Sequence, residues 1–200
     1  MNIRLLVILL GLISLMGCGS GNITVSGQLG EEIAIVPDYK EVTIPYNIAP
    51  LNFQVEIQED ACLLIEDAQG KCLQVHAQDG LFDIPLKAWQ ELLSANKGKD
   101  LKLTVCKDQN GAWMAYQPFT IHVAEEEIDP YIAYRLVQPG YYYWNQMGIY
   151  QRNLENFEQT SIYENQHTDY NCVNCHSFPA RNPEKMLFHQ RAKHAGTVMM

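Results

Sequence analysis

Alternation of apolar and polar residues predicts short β-strands through the first hundred residues that follow an apolar N-terminus. In residues 52–58, every second side chain is apolar and would lie on one face of a strand. Asn110-Gly111 is a pair that tight hairpin turns favour. One amphipathic helix interrupts the strands, with Pro85 at its first position and Gly98 at its end. These elements predict an Ig-like or fibronectin-like β-sandwich with one short helix.

Two apolar runs on either side of a turn signal at residues 67–70 predict a β-hairpin within this region. If Glu66 faces Lys71 across the hairpin, the side chains of Cys62 and Cys72 point to opposite faces of the sheet, since side chains alternate along a strand. We therefore expect no disulfide between these two residues. Buried free thiols are the better interpretation of Cys62, Cys72 and Cys106.

The character of the sequence changes after an acidic run at residues 125–129 that ends in Pro130. Residues 132–137, 141–145 and 148–153 are predicted to be further strands, and the pattern from residue 148 to residue 165 is typical of a propeller blade. We therefore expect a mainly β protein with two parts. Residues 23–127 would form the β-sandwich domain, and residues 128–200 an incomplete propeller-like segment.

The N-terminus has the pattern of an exported bacterial lipoprotein. A short positive start is followed by about a dozen mostly apolar residues, too few to span a bilayer but sufficient for a signal peptide. Leu15-Met16-Gly17-Cys18 resembles a lipobox, which implies cleavage before Cys18 and lipid attachment to its thiol and amine. We expect residues 1–17 to be the signal peptide, residues 18–22 a lipidated tether, and the cell envelope the location.

Charge and composition exclude several functions. The net charge of −9, with only 14 Lys and Arg residues, argues against nucleic acid or an anionic membrane surface as a partner. The sequence contains no nucleophile–base pair, carboxylate dyad or Gly-rich phosphate loop that would indicate an enzyme. We therefore expect no catalytic activity.

The motif that carries chemistry is Cys172-Val173-Asn174-Cys175-His176, a C-x-x-C-H sequence. In an exported protein this motif is the attachment site of c-type haem. The two thiols form thioethers with the haem vinyl groups, and the adjacent imidazole binds the iron. The sequence therefore predicts covalent haem at Cys172 and Cys175, with His176 as the proximal ligand. A structural metal such as zinc, or a disulfide, would be the alternatives, although no second C-x-x-C is present to complete a zinc site.

The sixth iron ligand remains open among three residues after the motif, Met186, His189 and His194. A methionine ligand would raise the reduction potential, and a second histidine would lower it. A helix beginning at Asn182-Pro183 would put Met186 and His189 on one face.

Several segments resemble a Bacteroidetes family of envelope lipoproteins with an N-terminal β domain, a C-x-x-C-H segment and a Tol-type, WD-repeat-like β-propeller. The resemblance begins near residue 37 and is strongest after Asp129. Residue 200 falls where the propeller of that family would only begin, so either the chain is truncated or it never carried the propeller. The segments are Asp129-Pro130-Tyr131, Tyr134-Arg135-Leu136, Pro139-Gly140-Tyr141, Gly148-Ile149-Tyr150-Gln151-Arg152 and residues 171–178.

The resemblance also implies a hairpin in which residues 186–191 pair with residues 197–200. Met186 and His189 would then face opposite sides of a strand, which favours His189 or His194 as the sixth ligand. By the same resemblance, the absence of an acidic run after Cys18 implies an outer-membrane lipoprotein that faces the periplasm.

Two functions follow from these observations. The first is a membrane-anchored c-type haem lipoprotein that transfers electrons, or senses redox state or a ligand, with a redox or envelope protein as its partner. The alternative is a non-catalytic interaction or scaffold lipoprotein, in which the C-x-x-C-H motif holds a structural metal or forms a disulfide.

Overall fold

The computed structural model describes residues 22–137, 139 and 146–200. Within these residues the protein is mainly β, with several sheets, one α-helix and no closed barrel. The strands are β1 (Val25–Gln28), β2 (Val42–Ile44), β3 (Phe53–Gln54), β4 (Ala61–Glu66), β5 (Cys72–His76), β6 (Leu81–Phe82), β7 (Lys99–Gln109), β8 (Ala112–Ala115), β9 (Phe119–Val123), β10 (Tyr131–Leu136), β11 (Gly148–Asn153), β12 (Gln159–Glu164), β13 (Cys172–Ser177), β14 (Leu187–Arg191) and β15 (Gly196–Met199), and the helix α1 is Leu86–Ala95.

Seven strands form the largest sheet, which is organised around the eleven-residue strand β7. One edge of β7 pairs with β4, while the other edge pairs first with β9 and then with β8. β1 and β2 add to β8 and β9 in parallel. The turn between β7 and β8 has positive φ at Asn110 and Gly111, as the hairpin predicted for this pair requires.

One face of this sheet packs against helix α1 and the two-stranded sheet of β3 and β6, and the main apolar core lies between them. The helix buries Trp89, Leu92 and Leu93. It begins at Leu86, so Pro85 is the capping residue that precedes it rather than its first residue. Only two residues of the strand predicted at residues 52–58 pair as a strand, because the partner strand β6 is itself two residues long.

The hairpin of β4 and β5 forms, but its register differs from the expected one. Glu66 pairs with Cys72 rather than with Lys71. The Asp67 N–H donates to Lys71 O (3.0 Å), which leaves residues 68–70 as the loop instead of the expected residues 67–70. Gly70 takes a positive φ in this shorter loop. A shift of one residue turns every side chain of a strand to the other face, so Cys62 and Cys72 lie on the same face. The prediction of opposite faces is therefore wrong.

The residues after Pro130 form two antiparallel three-stranded sheets, β10-β11-β12 and β13-β14-β15. Apolar side chains from both sheets meet in a second core. Of the strands predicted here, residues 132–137 and 148–153 correspond to β10 and β11, while residues 141–145 lie outside the described part of the chain. The hairpin implied for residues 186–200 is confirmed as β14 and β15. The buried members of the second core are Met147, Ile149, Val173, Met186 and Phe188.

Hydrogen bonds join the two parts of the chain beside the acidic run. Ala49 N donates to Leu154 O (2.7 Å), and the Asn47 side chain donates to Ile128 O (3.0 Å) and to the carboxylate of Glu155 (2.8 Å). The glutamates of the run are exposed, as expected for a solvated segment. The residue that follows them, Ile128, is held by its N–H, which donates to Asn47 Oδ1 (3.0 Å).

Candidate functional site

The C-x-x-C-H motif lies in strand β13, an edge strand that pairs with β14. Val173 pairs with Gln190, and His176 pairs with Phe188. The chain therefore advances three residues along β13 while it advances two along β14. This difference defines a β-bulge at Asn174-Cys175, the two central residues of the motif.

The bulge brings both thiols of the motif to one face of the sheet. In a regular strand, residues three apart point to opposite faces. Here Cys172 pairs with Arg191, and the bulged pair lies opposite His189, two residues earlier on the same face of β14. Cys172 is half-buried and Cys175 is exposed. The register therefore puts both cysteine positions on the strand face that carries His189, although Cys172 also packs against the second core and only Cys175 is exposed.

His176 lies on the other face, which Val173 shares. Its Nε2 is 3.3 Å from the carbonyl oxygen of Ala133 in β10, and its ring packs edge-on against Phe178. The register therefore puts the imidazole on the face of Phe188, whereas Cys175 is exposed and Cys172 is half-buried and packs against the second core.

Arg135 fixes the bulge to the neighbouring sheet. Its Nη1 donates to Asn174 Oδ1 (2.7 Å) and to Val173 O (3.3 Å). Arg135 precedes Asn174 by 39 residues, so no local sequence signal relates it to the motif. It belongs to one of the segments on which the family resemblance rests, but nothing in that segment indicates this contact.

The three candidate iron ligands occupy three different surroundings. Met186 is 4% exposed and lies in the second core with Phe188, directly before β14, where its backbone pairs with that of Met200. His189 is exposed, on the face of the thiols, with its Nδ1 3.3 Å from Thr197 Oγ1. His194 lies in the turn between β14 and β15. The predicted opposition of Met186 and His189 across a strand is confirmed.

His194 belongs to a small charged cluster around Asp169. The carboxylate accepts hydrogen bonds from Lys193 Nζ (2.8 Å) and from His194 Nε2 (2.9 Å). These contacts, the one from Lys193 first, lower the pKa of Asp169 to about 2. Because its Nε2 is engaged with this carboxylate, His194 would have to leave the cluster to bind an iron through that atom.

A cavity of about 750 Å³ opens beside the imidazole side of the motif. Its size falls within the roughly 300–1,000 Å³ typical of small-molecule sites. Ala133, the partner of His176, lies in its wall together with Phe178 and Met186. Asp129, Arg181 and Glu184 add charged groups to the lining.

The site meets one of the two geometric requirements of c-type haem. Thioether bonds to two vinyl groups need both thiols on one side, and the bulge provides this. Iron ligation needs the imidazole of His176 on that same side, whereas His176 contacts Ala133 on the opposite side. In the described residues, no group of three or more His, Cys, Asp or Glu side chains is arranged to hold a metal ion.

The predicted signal peptide and Cys18 precede the first described residue, Asn22. No helix in the part of the chain that the structure describes is long and apolar enough to cross a bilayer. Comparison with protein-family models, with curated proteins and with solved structures gives no match.

Proposed function

We propose that the protein is a membrane-anchored lipoprotein that binds c-type haem in the cell envelope and serves electron transfer or the sensing of redox state or a ligand. The observation that supports this function best is the C-x-x-C-H motif in β13, whose register puts both cysteine positions on one strand face, with Cys175 exposed and Cys172 half-buried. When bound, haem would supply one-electron chemistry. Cys172 and Cys175 would hold it covalently, while His176 would have to give up its contact with Ala133 to bind the iron.

The same proposal assigns residues 23–127 to an Ig-like β-sandwich and residues 128–200 to a propeller-like segment of the Bacteroidetes envelope family. The two facing layers of the first part support the sandwich, with the ring of Phe53 in the small sheet 6.2 Å from that of Phe119 in the large sheet. The two consecutive antiparallel sheets after Pro130 support the comparison with propeller blades.

Covalent haem is tested by producing the exported protein together with the haem-attachment machinery. We expect haem that stays with the polypeptide in a denaturing gel and gives the reduced spectrum of a c-type cytochrome. Replacing both Cys172 and Cys175 by Ala should abolish the stain. Cys72→Ala is the matched control, because Cys72 is also an exposed cysteine in a strand. This substitution should leave the haem stain intact. Absence of haem in the unaltered protein, or its persistence in the double variant, contradicts the proposal.

A second function is favoured by the position of His176 opposite the thiols. In this alternative the protein is a non-catalytic scaffold lipoprotein, and Cys172 and Cys175 form a disulfide or bind a structural metal. Intact-mass and metal analysis of the exported protein separate the two functions. Haem adds its own mass to the chain, a disulfide removes two hydrogens, and a metal is released by a chelator.

The lipid anchor is tested separately through Cys18. We expect the unaltered protein in the membrane fraction, because several acyl chains bind a bilayer essentially permanently. Cys18→Ala should move the protein to the soluble fraction or leave it unprocessed, while Cys72→Ala should not. Unaltered protein that is fully soluble after export would contradict the anchor.

A further inference from the structure

Cys62 and Cys106 lie directly opposite each other on the two central strands of the largest sheet. β4 and β7 are antiparallel, and their register pairs these two residues. Both cysteines are 0% exposed. With Leu64 and Ala115 they form a small apolar cluster, which we call the outer cluster because it lies on the sheet face away from the main core.

The backbone spacing at this pair suits a disulfide. Asp108 N donates to Asp60 O (2.8 Å), two residues along from the cysteines. Because hydrogen-bonded pairs recur at every second position, Cys62 and Cys106 also form a hydrogen-bonded pair, for which the Cα atoms lie about 5.5 Å apart. Native disulfides join Cα atoms that are roughly 4.4–6.8 Å apart. In the structure both thiols are free, and Cys62 Sγ lies 3.8 Å from Leu63 O.

Cys72 cannot replace either partner. It lies on the same face but pairs with Glu66, four residues along β4 from Cys62. At about 3.4 Å per residue this separation is about 14 Å along the strand, well beyond the reach of a disulfide. Cys72 is also exposed, which corrects the expectation that it would be buried. The three cysteines outside the C-x-x-C-H motif and the lipobox therefore form one facing pair and one separate thiol.

Burial determines when during folding the two thiols can react. The segment before and within β1 covers the outer cluster, with Ile23 N donating to the side chain of Gln74 (3.1 Å) across the face of the sheet. Desolvation, and then the charge of Cys106, raise the pKa of Cys62 to about 12. Desolvation is also the main cause that raises the pKa of Cys106 to about 11. Because the thiolate is the reactive form, we expect the two cysteines to be oxidised during folding, before β1 covers them.

We propose that Cys62 and Cys106 form a structural cross-strand disulfide when the chain folds in an oxidising compartment. The thiolate of one cysteine attacks the disulfide of a thiol–disulfide exchange protein, and the second cysteine resolves the mixed disulfide. The cysteine pair gives up two electrons and two protons, and the exchange protein leaves as a dithiol. The proposal rests on export, which is one part of the proposed function, and not on haem.

The test is a disulfide map of the full-length exported protein. Free thiols are blocked with N-ethylmaleimide in denaturant before digestion. We expect a peptide pair that joins Cys62 to Cys106 and separates on reduction, with Cys72 blocked as a free thiol. Cys72→Ser should retain this pair, and Cys106→Ser should leave Cys62 blocked rather than joined to Cys72. Haem staining and fractionation of the same sample report the proposed function independently.

A refolding arm makes the test independent of export. Reduced chain made without export is unfolded and refolded in a buffer of oxidised and reduced glutathione, which supplies the oxidant. The same cross-link should form there, and more slowly when the oxidant is added only after folding. Free thiols at both residues of the exported protein overturn the proposal, as does a cross-link through Cys72. If the chain is not exported, the refolding arm alone decides.

Discussion

Cys175 and His176 are adjacent in the chain, yet their side chains leave β13 on opposite faces. The identity and spacing of the motif residues are local properties, and these could be predicted from the sequence. The face of each side chain depends on strand conformation and on the bulge, which in turn depends on pairing with β14 and on the contact from Arg135. The sequence could therefore indicate the chemistry of the motif but not its geometry.

Met186 and His189 provide a matched pair for testing which face of β14 is buried. Met186→Ala should lower the free energy of unfolding by about 2–5 kcal/mol, because it leaves a cavity in the second core. His189→Ala removes an exposed side chain and should change the free energy of unfolding by less than about 0.5 kcal/mol. Urea denaturation of the haem-free protein, monitored by near-UV circular dichroism, measures the free energy of unfolding of both variants. Equal effects would contradict the assignment of faces.

Asp169 gives the stability a dependence on pH below neutrality. Its folded pKa of about 2 lies below the ordinary value of about 3.9. The contribution of the ionised Asp169 carboxylate to the free energy of unfolding is therefore present above about pH 4 and is lost as the pH falls towards about pH 2. Asp169→Asn should be less stable than the unaltered protein near pH 5 and equally stable near pH 2, as measured by thermal unfolding. A difference that persists unchanged at the lower pH would contradict this origin.

At the scale of elements, the strands and the helix follow from local pattern, whereas their pairing does not. The helix and the Asn110-Gly111 turn were predictable because their signals lie within a few residues. The hairpin of β4 and β5 was predictable, but its register depended on one residue of loop length. The three partners of β7, and with them the meeting of Cys62 and Cys106, depend on contacts between distant segments. No local pattern in the sequence encodes these contacts.

The loop that sets this register can be tested at Gly70. Its φ of +81° lies in the left-handed region, and a Cβ there would meet no atom within 4 Å. Gly70→Ala should therefore cost only the backbone strain, about 1–2 kcal/mol. Gly196→Ala is the control, because its site is equally open and no positive φ is required. It should be neutral or stabilising by up to about 1 kcal/mol. Denaturant unfolding measures the free energy of unfolding of both variants. Equal losses of stability would show that backbone strain at Gly70 is not the cause of the loss in Gly70→Ala.

At the scale of the whole molecule, the two buried cores draw on separate parts of the chain. The members of the main core lie between residues 29 and 123, and those of the second core between residues 147 and 198. Among the described residues, the second core has five buried members, and small cores stabilise a fold only marginally. The hydrogen bonds from Asn47 and Ala49 therefore support the second part more than the first.

This asymmetry predicts how fragments of the chain behave. Residues 22–127 retain the main core and should unfold cooperatively on their own. Haem-free residues 128–200 should not, because isolated small sheets are marginal in water. Limited proteolysis of the haem-free chain should cut near residues 125–130 and leave the N-terminal fragment intact. A C-terminal fragment that resists protease and unfolds cooperatively without haem would contradict this division.

The bulge in β13 also makes the spacing of the two cysteines independent of the surrounding sheet. Pairing is regular before it, at Cys172 and Val173, and regular after it, at His176 and Ser177. The strand therefore absorbs one inserted residue without moving Val173 or Phe188 out of the second core. A regular strand would place two cysteines on one face at a spacing of C-x-C. A single insertion is thus enough to turn such a pair into C-x-x-C, and this edge could gain or lose the motif in evolution while the core stays unchanged.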